Sequence, residues 1–445
     1  MNHKKFRFAF QTLPFLDSCE NDQTGILELC VRPTPQLLVW HPEGIDWIFQ
    51  ADRQLHHMPS RTLRPLLGRH SLLGTDGPRH DAYRRVLGPA LRGHQLQVCH
   101  NIISNTVHTA IDALVPGAVI SLIEWTRKIT LCISSHILLG SSDDVLLELF
   151  SARVGSVLGS RSRTLLHRHL YMHVLSISAR RFCPRGRREL DAMVLRSAKA
   201  TATLQPPALA TLLLAGDGPL GVLDDEELRD QIMSLLFAGY ETTASTIAWV
   251  LYWLSRDERM RRDVIAELTT TSNDGSDPAQ VPLLHAVIQE ALRLSPPAII
   301  AGKRMLAEDG ELLRKPLPAG TIVTPCMYLA HHQPDIFPNP RQFNPHRFID
   351  NRISRQHYFP FGGGTRRCLG SELAMLEVRM ITAAVLRRCQ LYCVNPEAGV
   401  PELRGPAMTL ARNLRMWITM SRRESPSMEF PRMKLPRIEL RSTAS

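Results

Sequence analysis

Cys368 lies in the segment of the chain whose residue types point most directly to chemistry. Three consecutive glycines, Gly362 to Gly364, stand before it, and Arg366 and Arg367 precede it directly. Glycines allow unusual backbone dihedrals and let a backbone approach a flat ligand closely. A cysteine that opens a helix beside arginines is expected to have a lowered thiol pKa, because amide dipoles and positive charge favour the thiolate. These residue types predict a metal-binding thiolate.

For an isolated cysteine, the simpler interpretation is a buried free thiol beside a glycine-rich turn. An ordered set of residues makes the metal-binding interpretation stronger: Phe361, Gly362, Gly364, Arg366, Cys368 and Gly370. A dinucleotide-binding fingerprint does not fit, because no strand leads into the segment and one glycine is missing at the required offset. The nine cysteines show no CxxC and no regular spacing, so neither a disulfide framework nor a zinc site is expected.

Segment 359–370 resembles the haem-binding signature of the cytochrome P-450 family, F-G-x-G-x-R-x-C-x-G, at every fixed position. The resemblance implies that Cys368 is the axial thiolate of haem b (iron protoporphyrin IX), that Arg366 pairs with a haem propionate, and that Phe361 packs beside the sulfur. An axial thiolate donates electron density to iron and promotes O–O cleavage. The signature glycines that we also assign to the cofactor site are Gly362 and Gly370.

A second motif, Glu290-Ala-Leu-Arg293, places two opposite charges on one face of a helix. Alone it would be read as an ordinary surface ion pair, which contributes little to stability. The family carries an E-x-x-R shortly before a Pro-Pro turn, and the resemblance implies a buried charge cluster with Arg347. The acidic residue that usually precedes this arginine is His346 here. We expect the cluster to have a structural role in holding the haem loop.

A third motif lies in a long apolar helix, in the order Ala238, Gly239, Tyr240, Glu241, Thr242. A glycine and an acid inside such a helix are both costly, and such departures from local rules occur mostly at functional sites. The alternative for Thr242 is a threonine bonded back to its own helix. The resemblance implies that Ala238 and Gly239 leave room for O2 above the iron. It also implies that Glu241 and Thr242 act as catalytic proton relays to O2.

Three further residues complete the predicted cofactor site. His80 and Arg84 are spaced i,i+4 at the start of a helix, where the family carries an H-x-x-x-R that binds a propionate. A solvated helix face is the alternative for this pair. Arg304, after the Pro-Pro turn, stands where the family often has another propionate-binding arginine.

The pattern along the chain predicts a mainly α protein with a small β region. We expect two short strands within 26–40, helices starting near Pro42 and Pro78, and mainly helical structure over 94–215. A helix of about 30 residues, capped by Asp224 and ending near Arg256, must cross the middle of the molecule. Further helices are expected over 281–294 and after Cys368, a hairpin over 401–418, and irregular structure over 53–78 and 331–367.

The domain organisation follows from the absence of a linker or repeat. We expect residues 1–422 to form one catalytic domain of the P-450 type, whose central helix crosses the haem, and 423–445 to form a disordered tail. The chain shows no signal peptide and no stretch long enough to span a membrane, so a cytoplasmic protein is expected. No nucleic-acid motif is present, and a nucleic-acid partner is not expected.

The net charge of +11 has two interpretations. One is general solubility, with arginines on exposed helices. The other is a basic docking face for an acidic ferredoxin, which receives electrons from its reductase and NAD(P)H. This chain has no Rossmann or flavin segment, so a separate electron donor is expected. The candidate residues for the face are Arg84, Arg85, Arg352, Arg355 and Arg367.

The predicted function is a haem-thiolate monooxygenase that inserts one oxygen atom from O2 into an apolar small molecule such as a terpene, fatty acid or polyketide. Leu236, Phe237, Ala238 and 298–300 are candidate pocket residues, although each could equally belong to the core. By weak analogy with bacterial members, secondary metabolism is the expected context. The alternatives are a haem-thiolate isomerase or peroxygenase, and a non-enzymatic haem sensor or carrier.

Overall fold

The computed structural model describes residues 3–31, 34–60, 62–158, 184–204, 207–216, 218–273, 281–349 and 353–420. The expected disordered tail, 423–445, lies outside these residues, as does Arg352. In the described part of the chain the structure is mainly helical, with small sheets. The predicted fold class is therefore confirmed.

The N-terminal region forms a sheet flanked by helices. Helices α1 (His3–Phe10) and α2 (Thr12–Asp17) precede strands β1 (Ile26–Cys30) and β2 (Gln36–Val39), which are the two strands expected within 26–40. The sequence interpretation missed α1 and α2, because both are short and α1 has no buried residue to mark an apolar face. The next elements are α3 (Pro42–Gln50), β3 (Leu55–His57), α4 (Arg64–Leu67) and α5 (Gly77–Leu87).

The expectation of irregular structure over 53–78 is partly wrong, since β3 and α4 both lie there. β3 forms because its partner β5 is supplied by the distant segment Arg304–Leu306, a pairing that no local pattern reveals. The sheet has the order β1-β2-β8-β5-β3, where β8 is Ile322–Pro325, and β2 pairs with β8 in parallel.

The middle of the chain is helical, as predicted. Its elements are α6 (Gln97–Asp112), β4 (Val119–Ser121), α7 (Leu122–Leu139), α8 (Asp144–Leu158), α9 (Pro184–Ala200) and α10 (Leu209–Leu214). They are followed by α11 (Asp225–Arg256), the central helix of 32 residues. Asp224 caps it, and its side chain accepts a hydrogen bond of 2.8 Å from the backbone N–H of Glu227.

The C-terminal third of the chain contains the remaining helices and strands, and irregular segments between them bring charged residues to the site. Its helices are α12 (Glu258–Asn273), α13 (Pro282–Leu294), α14 (Met327–Ala330) and α15 (Ser371–Arg388). Its remaining strands are β6 (Gly310–Leu312), β7 (Lys315–Leu317), β9 (Cys389–Cys393), β10 (Pro401–Arg404), β11 (Ala407–Leu410) and β12 (Arg415–Met420).

The hairpin expected over 401–418 is shorter than predicted. Only β10 and β11 pair with each other, whereas β12 pairs with β4 and β9 in a separate sheet of three strands. Alternating apolar residues mark β12 as a strand, but they do not identify its partner.

Buried apolar residues form three clusters, two of which include residues of α11. One packs its C-terminal half against α6, α7, α12, α13 and α15. The second packs its N-terminal half against α5, α8 and α9, and includes Leu369, the residue after Cys368. The third fills the N-terminal sheet. No described helix is long and apolar enough to cross a membrane.

Candidate haem-binding site

Cys368 lies in the loop between a single turn of 3-10 helix, Gly364–Arg366, and α15. α15 starts only at Ser371, so the cysteine precedes the helix rather than opening it. Its backbone N–H donates a hydrogen bond of 2.8 Å to the carbonyl oxygen of Phe361, which closes the loop on itself. The side chain of Cys368 is exposed, whereas Leu369 beside it is buried.

The expectation of a lowered thiol pKa is wrong for this chain by itself. Desolvation by the surrounding protein raises the pKa of Cys368, although the backbone N–H of Gly370 and the guanidinium groups of Arg84 and Arg367 lower it. Desolvation by the enclosing protein atoms therefore exceeds the opposing effects. A metal cation at the sulfur would favour the thiolate.

Positive charge is concentrated beside the cysteine. Burial lowers the pKa of Arg84, and the nearby Arg92 and Arg366 lower it further, while Cys368 acts in the opposite direction. Burial also lowers the pKa of His80 to about 4, followed by the effects of Arg366 and Arg84. His80 is therefore neutral at pH 7. It is buried, so the solvated-face alternative for His80 does not hold.

The Nη atoms of Arg366 are hydrogen-bonded, whereas its Nε is not bonded within the described part of the chain. One of its Nη atoms donates to Asp76 Oδ1 at 2.7 Å and to the carbonyl oxygen of Thr75 at 2.5 Å. Its buried Nε has no hydrogen-bond partner among the residues that the structure describes. An orphaned N–H in a cationic cluster is what a propionate carboxylate would satisfy, so Cys368, Arg84, His80 and Arg366 fit a haem.

The predicted Arg304 is buried and paired within the protein. This buried side chain donates from Nε to Asp52 Oδ1 at 2.7 Å and from an Nη atom to the carbonyl oxygen of Gly302 at 2.6 Å. A further contact of 3.4 Å reaches the carbonyl oxygen of Gly363 in the cysteine loop. Arg304 therefore contacts the loop itself and has a carboxylate partner of its own.

The glycines before Cys368 serve the contact of the loop with other parts of the chain. A Cβ atom at Gly363 would lie 2.4 Å from the ring of Phe49, and one at Gly364 would lie 2.5 Å from Asp52. Gly362 and Gly364 also have positive φ angles of 67° and 66°. The sequence explained these glycines by a flat ligand, whereas Gly363 and Gly364 allow the backbone to approach α3 and Asp52.

On α11, Ala238 and Thr242 occupy one face, at i and i+4. Ala238 is exposed and Thr242 partly exposed, although most of the surrounding helix is buried. The Thr242 hydroxyl donates to the carbonyl oxygen of Ala238 at 2.8 Å, so the back-bonded arrangement is present. Gly239 has a packing role: a Cβ atom there would lie 2.5 Å from Ser134 Oγ on α7.

Glu241 is fully buried between two arginines that the sequence interpretation missed. Arg127 of α7 donates to one carboxylate oxygen, and Arg404 of β10 donates to the other at 2.6 Å. Arg127 also contacts Glu124 at 2.8 Å. An acid inside an apolar helix requires a cationic partner, but nothing in the sequence identifies which arginine supplies it. A proton-relay role for Glu241 requires one of these ion pairs to loosen.

The second motif forms a buried cluster rather than a surface pair. Glu290 and Arg293 are both 0% exposed, and they form two hydrogen bonds of 2.7 and 2.8 Å. Arg347 Nε donates to Glu290 Oε1 at 3.1 Å, which brings the three predicted residues together. Arg293 also donates to the carbonyl oxygens of His331 and Pro340. The cluster therefore ties α13 to the irregular segment that leads towards Cys368.

Comparison with known proteins agrees with this geometry. The Cytochrome P450 family model matches residues 2–418. The chain belongs to the cytochrome P450 family. Members of the family bind haem through a thiolate and are generally monooxygenases, so this P450 is an oxidoreductase of that class. The family also uses O2 and redox partners.

Relatives of this P450 include the protein named cytochrome P450 135A1 of Mycobacterium tuberculosis, which is 29% identical over 399 residues and matched over 86% of each chain. Cytochrome P450 139 of Mycobacterium bovis is 30% identical over 344 residues, which cover 74% of this chain and 79% of that protein. A solved structure of retinoic acid bound cyanobacterial CYP120A1 has the same fold, with a TM-score of 0.82 and 22% identity over 93% of this chain and 96% of that one.

Proposed function

We propose that this P450 binds haem b and inserts one oxygen atom from O2 into a hydrophobic small molecule, by hydroxylation or epoxidation. The observation that carries the proposal is the cluster of Arg84, Arg366 and neutral His80 beside Cys368. Haem b has one iron to be ligated by sulfur and two propionates to be bound by cations and N–H donors, and this cluster offers all of these.

When bound, haem supplies the iron at which O2 is activated. Cys368 would hold the iron, Arg84 and Arg366 would bind propionate oxygens, and His80, which is neutral at pH 7, would donate its one N–H. Phe361 would shield the sulfur from water. Its own backbone oxygen already holds the cysteine N–H.

Thr242 is the residue that we assign to proton delivery. Its hydroxyl donates to its own helix, so the lone pairs of Oγ1 remain free to accept from a water or from the substrate side of the site. Glu241, the preceding residue, is ion-paired with Arg127 and Arg404. In this arrangement Glu241 would take up a proton from water after one arginine moves, and Thr242 would pass that proton on.

Replacing Thr242 with valine tests this assignment. We expect product formation to fall by roughly 100-fold, the lower end of what a positioned proton donor contributes. NAD(P)H consumption continues, and reduced O2 leaves as hydrogen peroxide. Thr243→Val is the matched control, since Thr243 is buried on the next position of the helix. Equal product per NAD(P)H in wild type and Thr242→Val would contradict the assignment.

The substrate is proposed to be apolar, such as a terpene, fatty acid or polyketide. Ala298 and Ile300 are partly exposed and remain candidate lining residues. Ala238 on α11 is exposed and is also a candidate. Leu236 and Phe237 are buried in the core cluster with α8 and α9, so the core interpretation applies to them. The structural neighbour described as retinoic acid bound supports a largely hydrophobic ligand class.

The electron donor is proposed to be a ferredoxin served by its own reductase. Arg85, Arg355 and Arg367 are exposed. Arg84 interacts with the cysteine cluster, so we no longer count it as part of the proposed face. A groove of about 560 Å³ borders Arg367 and Phe361 on the cysteine loop, and the first turns of α15 form its other side. An acidic surface there would approach the sulfur closely.

Reversing charge at the proposed face tests the ferredoxin. We expect the double variant Arg85→Glu, Arg355→Glu to raise the KM for ferredoxin several-fold at low salt and to reduce the salt dependence of turnover. Arg415→Glu, at an exposed arginine of β12, is the matched control. An unchanged KM across salt concentrations in the double variant would rule out this docking face.

Oxygen-isotope labelling separates the monooxygenase from its alternatives. With a reconstituted electron supply and 18O2, a monooxygenase places one labelled atom in product. An isomerase places none, a peroxygenase takes its oxygen from added peroxide, and a sensor or carrier releases no product. We propose a cytoplasmic location and a role in secondary metabolism, and a substrate-induced spin-state shift with apolar metabolites would identify the substrate class.

A further inference from the structure

Asp52 lies where three separate parts of the chain meet at the cysteine loop. It belongs to the 3-10 turn Ala51–Arg53 that follows α3, and its side chain is 2% exposed. One carboxylate oxygen accepts the Nε–H of Arg304 at 2.7 Å. The other accepts two bonds from Thr365, from the backbone N–H at 2.7 Å and from the hydroxyl at 2.6 Å.

A second carboxylate holds the next residue of the loop. Asp76 Oδ1 accepts a hydrogen bond of 2.7 Å from Arg366, the residue that follows Thr365. His57 joins the two acids: its Nε2 lies 3.2 Å from Asp52 Oδ1, and its backbone N–H donates to Asp76 Oδ2 at 2.9 Å. His57 is also paired with Arg304 between β3 and β5. Two consecutive loop residues are thus held by two linked carboxylates.

The charge of Asp52 is stabilised by these donors. Desolvation by burial raises the pKa of the carboxyl group, but the close approach of the His57 ring, the charge of Arg304 and the hydrogen bonds from Thr365 outweigh it and hold the pKa well below its usual range. Asp52 is therefore a carboxylate at neutral pH. It neutralises Arg304, whereas Nε of Arg366 has no partner among the described residues.

We propose that Asp52 is a positioning residue that fixes Thr365, and through it the loop that carries Arg366 and Cys368, in the geometry that retains haem. Arg304 belongs to this clamp, because Asp52 also accepts its Nε–H. The inference rests on the proposed haem site.

The test compares Asp52→Asn with Thr365→Val in the full-length holoprotein. Asparagine keeps the shape of Asp52, but its single side-chain oxygen can accept from Thr365 or from Arg304, and its NH2 group can accept from neither. Losing such an outer contact of a metal site typically weakens retention by about 10–100-fold. We expect haem transfer to apomyoglobin to accelerate by a factor in this range, and the reduced, carbon-monoxide-treated variant to lose part of its thiolate-type Soret band. Thr365→Val changes both in the same direction but less.

Asp17→Asn is the matched control, because Asp17 also accepts from a hydroxyl and an arginine, those of Tyr328 and Arg341. Its haem transfer rate should equal that of wild type. Wild-type rates in both Asp52→Asn and Thr365→Val overturn the clamp. If Asp52→Asn does not fold, a wild-type rate in Thr365→Val alone overturns it. A wild-type protein without a thiolate-type band overturns the proposed function instead.

Discussion

Replacement of Cys368 with alanine is expected to abolish oxygen insertion and the thiolate-type Soret band of the reduced, carbon-monoxide-treated protein. The reason is that the other residues near the sulfur, Arg84, Arg366 and His80, are cationic or neutral donors and offer no anionic ligand to the iron. Absorbance spectra and product analysis measure the two effects. We expect the variant to fold, since the side chain is exposed and fills no core position.

Cys132→Ala is the matched control for this experiment. Cys132 is another free, partly buried cysteine, and it lies on α7, away from the haem signature in sequence. Its spectrum and turnover should match those of wild type. A Cys368→Ala protein that keeps both the band and the turnover would show that the sulfur is not the ligand.

Glu290→Gln is expected to lower the free energy of unfolding by about 3–5 kcal/mol, the usual cost of removing one partner from a buried ion pair. The substitution leaves Arg293 without a counter-charge at a position that is 0% exposed, and it weakens the bond to Arg347. Urea unfolding followed by circular dichroism measures the change. Haem release is expected to accelerate with it, because α13 loses its tie to the segment that leads to the cysteine loop.

Glu28→Gln provides the comparison at the surface. Glu28 pairs with Lys315 at 2.7 Å, and both side chains are partly exposed, so the loss should be below about 1 kcal/mol. A loss of similar size in the two variants would contradict the structural role of the Glu290 cluster.

The residues near Cys368 were predictable to different degrees. The order of residues around the cysteine indicated a thiolate site, and the resemblance to the P-450 family implied the haem. Glu290 and Arg293 alone would have been read as a surface ion pair, and the resemblance implied that they form a buried cluster with Arg347, which does contact Glu290. Arg304 was expected at a propionate, and its contact with Asp52 adds a partner that the motif did not indicate.

The residues that were missed are joined across long stretches of chain. Glu241 meets Arg127, which is 114 positions away, and Arg404, which is 163 positions away. Asp52 meets Thr365 across 313 positions. Asp52 itself follows α3 in a segment that no motif covers. The signal for Glu241 was present as an acid in an apolar helix, but an isolated acid cannot indicate the direction from which its partner comes.

By itself, the sequence predicted most of the longer helices, and the order of residues around Cys368 indicated the chemistry of the loop. Helix caps such as Asp224, apolar periodicity, and the order of residues around Cys368 all depend on neighbours within a few positions. The tertiary structure alone decided which buried acids meet which arginines, why Gly239 and Gly363 must lack a side chain, and that desolvation raises the pKa of the thiol. These features depend on packing between distant segments, where burial and distance set the electrostatic energy, and local sequence contains neither quantity.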